Sequence, residues 1–402
     1  MKAVILAAGE GLRCRPLTMT RSKVMLPVAN KPILEYIIRA LAQNDIKDII
    51  LIVGYKKERI MDYFGDGIDF GVSISYIEQS SQLGTAHAVK LAERLIDEKF
   101  LVLNGDNLID ADTVSDLLAG NSGDVALLTV MREQTAGYGV VLQDKGRVSR
   151  IIEKPMEKIS HLVNTGIYML SPSIIDEIEM TRASDTGEYA ITDAVQRMID
   201  GGGTITNVTT RSTWIDAVHS WDLLKANAIL LSNYDGMEVA GVVEHGAVIV
   251  GKVAIGEKSV IRSGSYIVGP VVIGKNCDIG PNTTILPSTA IGDNCRIDSF
   301  TEIENSIVMN DVCIGAGSHV AHSIIGVHNI IGSHFVTEVG RDLKIEMKGI
   351  LHHADEFGTV IGDDNAIGQV VLVHAGKMIT TGCSVESGVT VSRDIPQDST
   401  VL

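Results

Sequence analysis

The chain has 402 residues and a formal net charge of −16 at pH 7, so it is long enough for two or three domains with substantial cores. The acidic balance argues against nucleic acid as the main partner, because proteins that bind it usually present a basic face. Five cysteines without a C-x-x-C pair argue against a zinc site or a disulfide framework. No apolar run approaches the roughly 18 residues of a membrane span, and the run after Lys2 is too short for a signal peptide, so we expect a cytoplasmic protein without a membrane partner.

The first predicted element is a short apolar strand, Lys2–Ala8, that runs into the loop Gly9-Glu10-Gly11. Basic residues follow at positions 13, 15, 21 and 23. Glycines allow positive φ and let main-chain N–H groups approach phosphate oxygens, and arginine and lysine supply positive charge. The pattern predicts a polyphosphate-binding loop, although a lone Gly-x-Gly is also typical of a simple turn. It is neither a Walker A loop nor a dinucleotide fingerprint, because neither a Gly-Lys-Ser/Thr sequence nor a third glycine follows.

Up to about residue 235, short apolar strands alternate with longer helical stretches. The further predicted strands are Asp48–Val53, Val72–Tyr76, Phe100–Leu103 and Val125–Val130. The predicted helices are Pro32–Gln43, Lys56–Phe64, Thr85–Leu95 and Thr113–Leu118, with a connecting helix at Trp221–Asn233. This alternation predicts an α/β fold with a Rossmann-like, mostly parallel sheet that helices cover on both faces. Ligands of such sheets bind beyond the carboxyl ends of the strands, where the first glycine loop also lies.

From about residue 246 the apolar pattern repeats every six residues. Isoleucine occupies positions 249, 255, 261, 267, 273, 279, 285, 291, 297 and 303. The spacing predicts stacked units of one flat strand and one turn, and it resembles the hexapeptide repeat of left-handed parallel β-helices. We therefore divide the chain into a first, α/β domain at 1–230, a linker at 231–245 and a left-handed β-helix domain at 246–402. The charged stretch from Phe335 to Phe357 interrupts the repeat, and we interpret it as a loop that leaves the solenoid.

The first 27 residues resemble the signature of the sugar-1-phosphate nucleotidylyltransferases. The resemblance includes Pro16-Leu17-Thr18 and the spacing from Lys23 to Pro27. It implies an enzyme that converts an NTP and a sugar 1-phosphate into an NDP-sugar and pyrophosphate with Mg²⁺. By the same resemblance, nucleotide-binding residues are Ala8, Gly9, Gly11, Arg13 and Lys23. Arg13 and Lys23 are catalytic by the same comparison, while the alternative for Arg13 is a surface salt bridge.

A second nucleotide segment is formed by Gln79 and the stretch from Gln82 to Ala86, including Gly84 and Thr85. It resembles the family's base-reading segment, and an amide side chain offers a pyrimidine edge one donor and one acceptor. The alternative is a strand-to-helix turn with Thr85 as the helix N-cap. The stretch resembles uridylyl enzymes more, which favours UTP and places dTTP second. Uracil and thymine differ by only one methyl group, so the base stays open.

Two aspartates are candidate metal ligands. Asp106 follows the predicted strand Phe100–Leu103, and Asp216 lies in a Trp-x-Asp sequence that resembles a late element of the family. Mg²⁺ favours one or two carboxylates together with phosphate oxygens. The family order implies that both aspartates hold Mg²⁺ and that Asp106 also acts in catalysis and lies beside the sugar phosphate. For either aspartate alone, a turn or a helix cap is the commoner explanation.

Sugar recognition has its own group of candidates, which occur in the order of the family. They are Gly139, Glu153, Lys154, Asn164 and Thr165, with a weaker resemblance at Gly187-Glu188-Tyr189. By this resemblance, Glu153 accepts hydrogen bonds from sugar hydroxyls and Lys154 holds the sugar phosphate. Asn164 is expected to meet the substituent at the 2-position, which is compatible with GlcNAc 1-phosphate or glucose 1-phosphate.

The combination of the two domains resembles bifunctional enzymes that also acetylate glucosamine 1-phosphate from acetyl-CoA. His319 lies where their general base is expected, but His322 occupies the tyrosine position and Glu338 lies near the expected asparagine. The histidines are otherwise explained as outward-facing residues of a solenoid that serves assembly into a homotrimer or a dimer of trimers. A non-catalytic regulatory homologue is a third alternative, which the intact Arg13 and Asp106 weigh against.

Overall fold

A computed structural model of the chain describes residues 1–120, 125–144, 147–184, 187–233, 238–347 and 349–402. Its contacts form two compact units. The first unit contains Met1–Glu10 and Ile33–Asp216, and the second contains Gly11–Pro32 and Ala217–Leu402. The glycine loop is therefore divided between Glu10 and Gly11, a boundary that no change in sequence period indicates. Part of the predicted linker, 234–237, lies outside the described residues.

The first unit is built on a sheet that has nine strands among the described residues. In spatial order they are Ser73–Glu78, Asp48–Val53, Lys2–Ala7, Phe100–Asn104, Leu162–Leu170, Val125–Met131, Ile205–Thr210, Arg147–Ile152 and Val140–Asp144. The first four run parallel, whereas Leu162–Leu170 runs antiparallel to both of its neighbours in this order. Arg147–Ile152 also runs antiparallel to both of its neighbours, so the predicted α/β class is confirmed with a mixed sheet.

Helices accompany the strands of this sheet. They are Ile33–Gln43, Lys57–Phe64, Thr85–Leu91, Ala111–Gly120, Ile174–Glu179 and Ile191–Asp200, with short 3₁₀ turns at Ile68–Phe70 and Glu93–Leu95. The predicted helix at Thr85–Leu95 is thus shorter, because its last turn is the separate 3₁₀ element. A two-stranded sheet pairs Asn107–Ile109 with Trp214–Asp216. The last two helices and this strand pair were not predicted from the sequence.

The second unit contains three parallel sheets, which have eight, nine and eight strands in the part of the chain that the structure describes. The first holds Glu238–Val239, Val253–Ile255, Val271–Ile273, Thr289–Ile291, Ile307–Val308, Ile324–Ile325, Val360–Ile361 and Met378–Ile379. The second holds Val242–Val243, Val260–Ile261, Asp278–Ile279, Arg296–Ile297, Cys313–Ile314, Ile330–Ile331, Ala366–Ile367, Ser384–Val385 and Thr400–Val401. The third holds Val248–Val250, Tyr266–Val268, Thr284–Ile285, Glu302–Glu304, His319–Ala321, Val336–Thr337, Leu372–Val373 and Thr390–Val391. This is the arrangement of a left-handed parallel β-helix, as the six-residue repeat predicted.

Register explains why the isoleucine repeat builds this solenoid. Ile255 pairs with Ile273 and Ile273 with Ile291, so equivalent isoleucines stack one coil above the next in a fully buried column. At the corners, Asn276 and Asn294 adopt left-handed backbone with φ of +55° and +58°. Asparagine tolerates this region better than most residues do, and the Nδ2 of Asn276 donates to the Oδ1 of Asn294 at 3.1 Å. Apolar strand positions and polar corners therefore specify each coil locally.

The slip in the repeat after Ile303 is a shortened corner. Ile303 pairs with Val320, 17 residues later, whereas Ile285 and Ile303 are 18 residues apart. The next inward position after Ile303 is Val308. One corner is thus a residue shorter, and the core column continues without a break because the strands keep their length.

The interruption of the repeat is a β-hairpin and not the irregular loop that the sequence predicted. Val336–Thr337 still belongs to the third sheet, and Phe335 is fully buried. The hairpin then pairs Gly340–Met347 with Ile350–Phe357 in antiparallel register. Leu343 and Ile345 alternate with Lys344 and Glu346, as is typical of a half-buried strand, but the charge of the stretch led to its interpretation as a loop. Residue 348 lies outside the described residues.

The remaining parts of the second unit are a helix and the segment Gly11–Pro32. The helix Ser220–Ser232 begins with a reciprocal capping box between His219 and Asp222. The segment contains 3₁₀ turns at Leu12–Cys14, Leu17–Met19 and Lys23–Met25, then a small strand pair of Pro27–Val28 with Lys31–Pro32. Residues 238–243, which were predicted as part of the linker, instead form the strands Glu238–Val239 and Val242–Val243, which pair with the solenoid strands that follow. Within the described ranges, no helix has the length and apolar content to cross a membrane.

Candidate functional site

The two candidate metal ligands are brought together by the small strand pair of the first unit. Asp106 lies in the turn between the strand Phe100–Asn104 and the strand Asn107–Ile109. In the antiparallel register of that pair, Asp216 faces Asn107, the residue next to Asp106. Both carboxylates are half-buried. More than 100 residues of sequence separate them, yet the fold places them at one end of the central sheet.

Asp110 fixes the strand that carries Asp216, and it was missed in the sequence. Its Oδ1 accepts hydrogen bonds from the N–H and hydroxyl of Thr113, at 2.9 and 2.7 Å, and its Oδ2 accepts the N–H of Thr213 at 3.1 Å. Burial raises the pKa of the Asp110 carboxyl, but the hydrogen bonds from Thr213 and Thr113 outweigh burial and hold the pKa below its ordinary value. The spacing Asp-x-x-Thr before a helix was an available signal, since it is typical of an N-cap.

This pair of carboxylates fits Mg²⁺ better than a metal that needs an all-protein cage. No group of three or more His, Cys, Asp or Glu side chains arranged for a metal occurs among the described residues. Mg²⁺ usually takes one or two carboxylates and fills its other positions with water and substrate phosphates. Asp106 and Asp216 supply that donor set, so the residues present fit the ion that the family resemblance implies.

Three of the predicted sugar-side residues lie together in the same unit. A Cβ atom added to Gly139 would lie 2.9 Å from the Oε2 of Glu153 and 3.7 Å from the Cβ of Asn164. The N–H of Asn164 donates to the carbonyl oxygen of Gly139 at 2.9 Å. A larger residue at position 139 would therefore require the Glu153 carboxylate to move.

Tyr168 holds the Asn164 side chain, and no feature of the sequence pointed to this tyrosine. The Nδ2 of Asn164 donates to the Tyr168 hydroxyl at 2.6 Å, and its Oδ1 accepts the N–H of Gly166 at 3.2 Å. Burial and the nearby Glu153 carboxylate raise the pKa of Tyr168, so its hydroxyl stays neutral. The Asn164 amide is consequently held in one orientation beside Glu153.

Trp214 connects the sugar-side residues to the strand of the metal ligand. Its Nε1 donates to the carbonyl oxygen of Thr165 at 3.2 Å. Its ring contacts Tyr138 edge to face at a centroid distance of 5.9 Å, and the guanidinium of Arg132 lies 5.6 Å from its ring. A Cβ at Gly166 would also collide with the Asn104 side chain, at the end of the strand before Asp106. Residues next to the sugar-side and metal-side candidates are therefore in direct contact within this unit.

Lys154 and Glu153 form an exposed ion pair, with the Nζ of Lys154 3.5 Å from the Oε1 of Glu153. Lys154 has a left-handed backbone with φ of +41°, which is uncommon for a residue with a Cβ. An exposed ion pair of this kind adds little stability, so the pair does not explain the left-handed backbone of Lys154. The backbone is better explained by the direction in which it points the Lys154 ammonium group.

The predicted base-reading segment is a braced turn. Gly84 has φ of +98°, and a Cβ there would lie 2.5 Å from the carbonyl oxygen of Tyr189. The buried Gln79 donates from Nε2 to the carbonyl oxygen of Gly84 at 3.2 Å and lies 2.9 Å from the Nδ1 of His87. The hydroxyl of Thr85 accepts the N–H of Ile191 at 2.9 Å, so it caps the start of the helix Ile191–Asp200 and not its own helix. The weak resemblance at Gly187-Glu188-Tyr189 thus falls on a segment that packs against Gly84.

Ala8 and Gly9 end the first strand of the unit. The carbonyl oxygen of Ala8 accepts a hydrogen bond from the Nε2 of Gln82 at 2.9 Å, which joins the loop to the base-reading segment. A Cβ at Gly9 would meet nothing within 4 Å. Within the part of the chain that the structure describes, the space beside Gly9 is therefore open.

In the second unit, the loop glycine Gly11 lies against Lys23. Gly11 has φ of +68°, and a Cβ there would lie 2.5 Å from the Cβ of Lys23. Its carbonyl oxygen accepts the hydroxyl of Thr18 at 2.9 Å. Arg13 is exposed on the turn Leu12–Cys14, as an anion ligand requires. Arg21, which the basic pattern had placed with the phosphate-binding residues, is instead buried and ion-paired to Asp363.

His319 and its neighbouring histidines occupy different environments in the solenoid. His319 lies on the strand His319–Ala321, is 43% exposed, and has its Nδ1 3.5 Å from the Oε1 of Glu302. His322, His328 and His334 lie at coil corners with φ of +48°, +57° and +59°. These three histidines act as turn residues. This structural role explains the histidine at position 322, where the family resemblance leads us to expect a tyrosine, without any catalytic role.

The chain was compared with known proteins. The family described as nucleotidyl transferase matches residues 2–233, and the one described as GMPPB C-terminal domain matches residues 267–379. The "Bifunctional protein GlmU" of Methanococcus maripaludis (strain C7) is 40% identical over 408 residues, covering 100% of this chain and 97% of that protein. A glucose-1-phosphate thymidylyltransferase of Streptomyces antibioticus is 37% identical over 262 residues, covering 64% of this chain and 73% of that protein.

A solved structure from Bacillus anthracis, named as a glucose-1-phosphate thymidylyltransferase in complex with sucrose, matches with a TM-score of 0.53 and 30% identity. The match covers 59% of this chain and 97% of that one. These findings confirm the resemblance to the sugar-1-phosphate nucleotidylyltransferases and the expectation of an enzyme. The family match spans more than half of the chain, and the GlmU relative aligns along the whole of it. The chain belongs to the nucleotidyl transferase family.

Proposed function

We propose that this enzyme transfers a uridylyl group from UTP to GlcNAc 1-phosphate or glucose 1-phosphate with Mg²⁺, releasing pyrophosphate. The observation that carries the proposal is the register of the strand pair, which places Asp216 opposite Asn107 and hence beside Asp106. Carboxylates at the end of the central sheet, whose neighbouring residues contact those of the sugar side, suit a reaction between two phosphate esters. A regulatory homologue would have no need to keep this arrangement.

The chemistry is an in-line displacement. A phosphate oxygen of the sugar 1-phosphate attacks the α-phosphorus of the NTP, the P–O bond to the β-phosphate breaks, and pyrophosphate leaves. Because the protein forms no covalent bond, its residues act by positioning and by electrostatic stabilisation. Glu153 accepts hydrogen bonds from sugar hydroxyls, Asn164 contacts the 2-substituent, and Lys154 neutralises the sugar phosphate. Gly139 offers its main-chain N–H at the same place, and Thr165 supports Asn164 through the backbone.

On the nucleotide side, the main chain at Ala8, Gly9 and Gly11 binds phosphate oxygens. Arg13 and Lys23 stabilise the negative charge that grows on the leaving pyrophosphate. Asp106 and Asp216 would hold Mg²⁺, which supplies neutralisation of the phosphate charge when it is bound. The turn formed by Gln79, Gly84 and Thr85 shapes the base pocket. The Nε2 of Gln79 donates to Gly84 and the hydroxyl of Thr85 accepts the N–H of Ile191, so these two groups brace the turn that would contact the base.

The nucleotide and the sugar are the parts of the proposal that need measurement. The relatives named as glucose-1-phosphate thymidylyltransferases favour dTTP and glucose 1-phosphate as the nearest alternatives. A single methyl group between uracil and thymine is worth about 1–3 kcal/mol in a binding pocket. We therefore expect a preference for UTP over dTTP and not an absolute selection.

Pyrophosphate release tests the proposal. UTP, dTTP, ATP, CTP and GTP are each combined with glucose 1-phosphate, GlcNAc 1-phosphate and glucosamine 1-phosphate in the presence of Mg²⁺. We expect release with UTP and one of the first two sugars. Release only with dTTP would correct the base, and a folded protein that releases no pyrophosphate with any pair would overturn the proposal.

Acetyl transfer to glucosamine 1-phosphate is a second candidate function, which the exposed His319 beside Glu302 favours. A carboxylate next to an imidazole is a typical arrangement for a general base. With acetyl-CoA and glucosamine 1-phosphate, we expect CoA release that His319→Ala abolishes, while pyrophosphate release is unchanged. CoA release at the wild-type rate in the variant would exclude His319. We also propose a homotrimer, or a dimer of trimers, through the β-helix, which light scattering of the full chain measures.

A further inference from the structure

The segment Gly11–Pro32 carries Arg13 and Lys23 but has little structure of its own. It consists of three single-turn 3₁₀ helices and a strand pair of two residues on each side. Such short elements cannot hold a fixed conformation by themselves. The segment belongs to the same compact unit as the solenoid. What holds it must therefore be sought in its contacts with the solenoid.

The strongest of these contacts is a buried ion pair. The guanidinium of Arg21 pairs with the Oδ2 of Asp363, and the two side chains are 5% and 1% exposed. The hydroxyl of Thr20 donates to the same Oδ2, and the Oδ1 of Asp363 accepts the N–H of Val327 at 2.9 Å. The Nη1 of Arg21 also lies 3.0 Å from the Sδ of Met309. Asp363 thus connects the segment to two coils of the solenoid at once.

A second set of contacts lies at the other end of the segment. Asn227 is fully buried; its Oδ1 accepts the N–H of Ala29 at 2.8 Å, and its Nδ2 donates to the carbonyl oxygen of Ser288 at 2.7 Å. The Nδ2 of Asn30 donates to the carbonyl oxygen of Ile291 at 2.6 Å. The segment is therefore attached to the solenoid on both sides of Lys23.

We propose that Arg21 and Asp363 are positioning residues for nucleotidyl transfer, so that the solenoid sets the conformation of the segment that carries Arg13 and Lys23. The inference rests on the catalytic roles proposed above for those two cations. Lys23 is two residues after Arg21, and its Cβ lies against Gly11, so a shift at Arg21 is transmitted to the glycine loop. Because charge stabilisation requires preorganised groups, loss of the anchor slows the chemical step and leaves sugar binding intact.

Steady-state kinetics of the full chain test this inference. Asp363→Asn removes the buried charge, and Thr20→Val is a milder variant that removes only one hydroxyl. Arg262→Met is the matched control, because Arg262 forms a solenoid ion pair with Asp278, at 2.9 Å, and does not contact the segment. We expect Asp363→Asn to lower kcat about 10- to 100-fold, the size of a loss by misplacement. The KM for the sugar 1-phosphate should stay within about twofold, kcat of Thr20→Val should fall by a smaller factor, and Arg21→Lys should retain more activity than Arg21→Met.

Hydrogen exchange of the same proteins, without substrate, separates this inference from the proposed function. We expect the amides of residues 11–26 to exchange faster in Asp363→Asn and Thr20→Val than in wild type, and at the wild-type rate in Arg262→Met. If the wild-type enzyme proved inactive with every substrate pair, the exchange data would still report whether the anchor holds the segment. Folded Asp363→Asn and Thr20→Val proteins with wild-type kcat and wild-type exchange would overturn the inference.

Discussion

The solenoid and the α/β unit encode their structures in different ways. In the solenoid, each isoleucine packs against the equivalent isoleucine of the next coil. Because each coil contains three strands, the isoleucines recur every six residues along the sequence. In the α/β unit, Asp216 lies opposite Asn107, the residue next to Asp106, across more than 100 residues of intervening chain. A periodic core tolerates an inserted hairpin, whereas a site built from distant segments depends on every connection between them. The experiments below test this contrast, from the largest expected effect to the smallest.

The largest effect is expected at the carboxylates of the α/β unit. Asp106→Asn should lower Mg²⁺-dependent pyrophosphate release on the order of 1,000-fold, because it weakens the metal site that neutralises phosphate charge. The melting temperature should change little, since Asp106 is half-buried in a turn. The matched control is Asp112→Asn, an exposed aspartate of the following helix. Turnover within a fewfold of that of the wild-type enzyme would show that Asp106 is not a ligand of the metal.

Arg13→Ala should lower turnover about 100- to 1,000-fold, as the loss of a preorganised charge stabiliser does. Its control is Lys31→Ala, an exposed cation of the same segment, which should leave kcat unchanged. Equal rates for the two variants would mean that Arg13 has no catalytic role and forms only a surface salt bridge, the alternative stated in the sequence analysis.

A core substitution in the solenoid should lower the free energy of unfolding and should not change which residues carry out the chemistry. Ile297 is fully buried, so Ile297→Ala should cost about 2–5 kcal/mol of unfolding free energy. Ile330→Ala removes a side chain that is 65% exposed, on the same sheet, and should change stability by less than about 0.5 kcal/mol. Urea denaturation measures both. Equal losses would mean that the stacked isoleucine column is not the source of solenoid stability.

The smallest expected effect is the pH dependence of stability that arises from His352 in the hairpin. The His352 ring lies 4.4 Å from the His219 ring, and burial, His219 and Arg13 together lower the pKa of His352 from its ordinary value of 6.5. Below pH 6.5 the unfolded chain therefore binds more protons at this position than the folded chain does, so acid favours unfolding until the lowered pKa is passed. Asp222, 3.5 Å from the Nδ1 of His219, opposes part of this effect.

We expect His352→Gln to reduce the loss of melting temperature between pH 7 and pH 5. His353→Gln, on the same strand of the hairpin, is the control, because His353 lies beside the carboxylates of Asp342 and Asp355. An identical pH profile in wild type and His352→Gln would show that His352 contributes nothing to the acid response.

Much of the fold could be predicted from the sequence, and the errors have physical causes. The strand at Asp48–Val53 and the helix at Ile33–Gln43 followed from periodicity to within a residue. The hairpin at Gly340–Met347 was missed although Leu343 and Ile345 alternate with Lys344 and Glu346, because the stretch was judged by its charge and by the break in the six-residue repeat. Arg21 was misassigned because a basic residue in a phosphate-binding pattern has the same appearance whether it faces a ligand or a buried carboxylate.

The sequence by itself determined the parts of this protein that depend on local periodicity and on a contiguous motif. These are the stacked coils, the order of strands and helices in the first half, and the glycine loop that led to the enzyme class. Only the tertiary structure decided which distant groups meet: Asp216 beside Asp106, Tyr168 on Asn164, and Asp363 beneath Arg21. The physical reason is that a repeat is satisfied by its nearest neighbours along the chain. A buried charge or amide instead needs one particular partner, and only the fold brings that partner into contact.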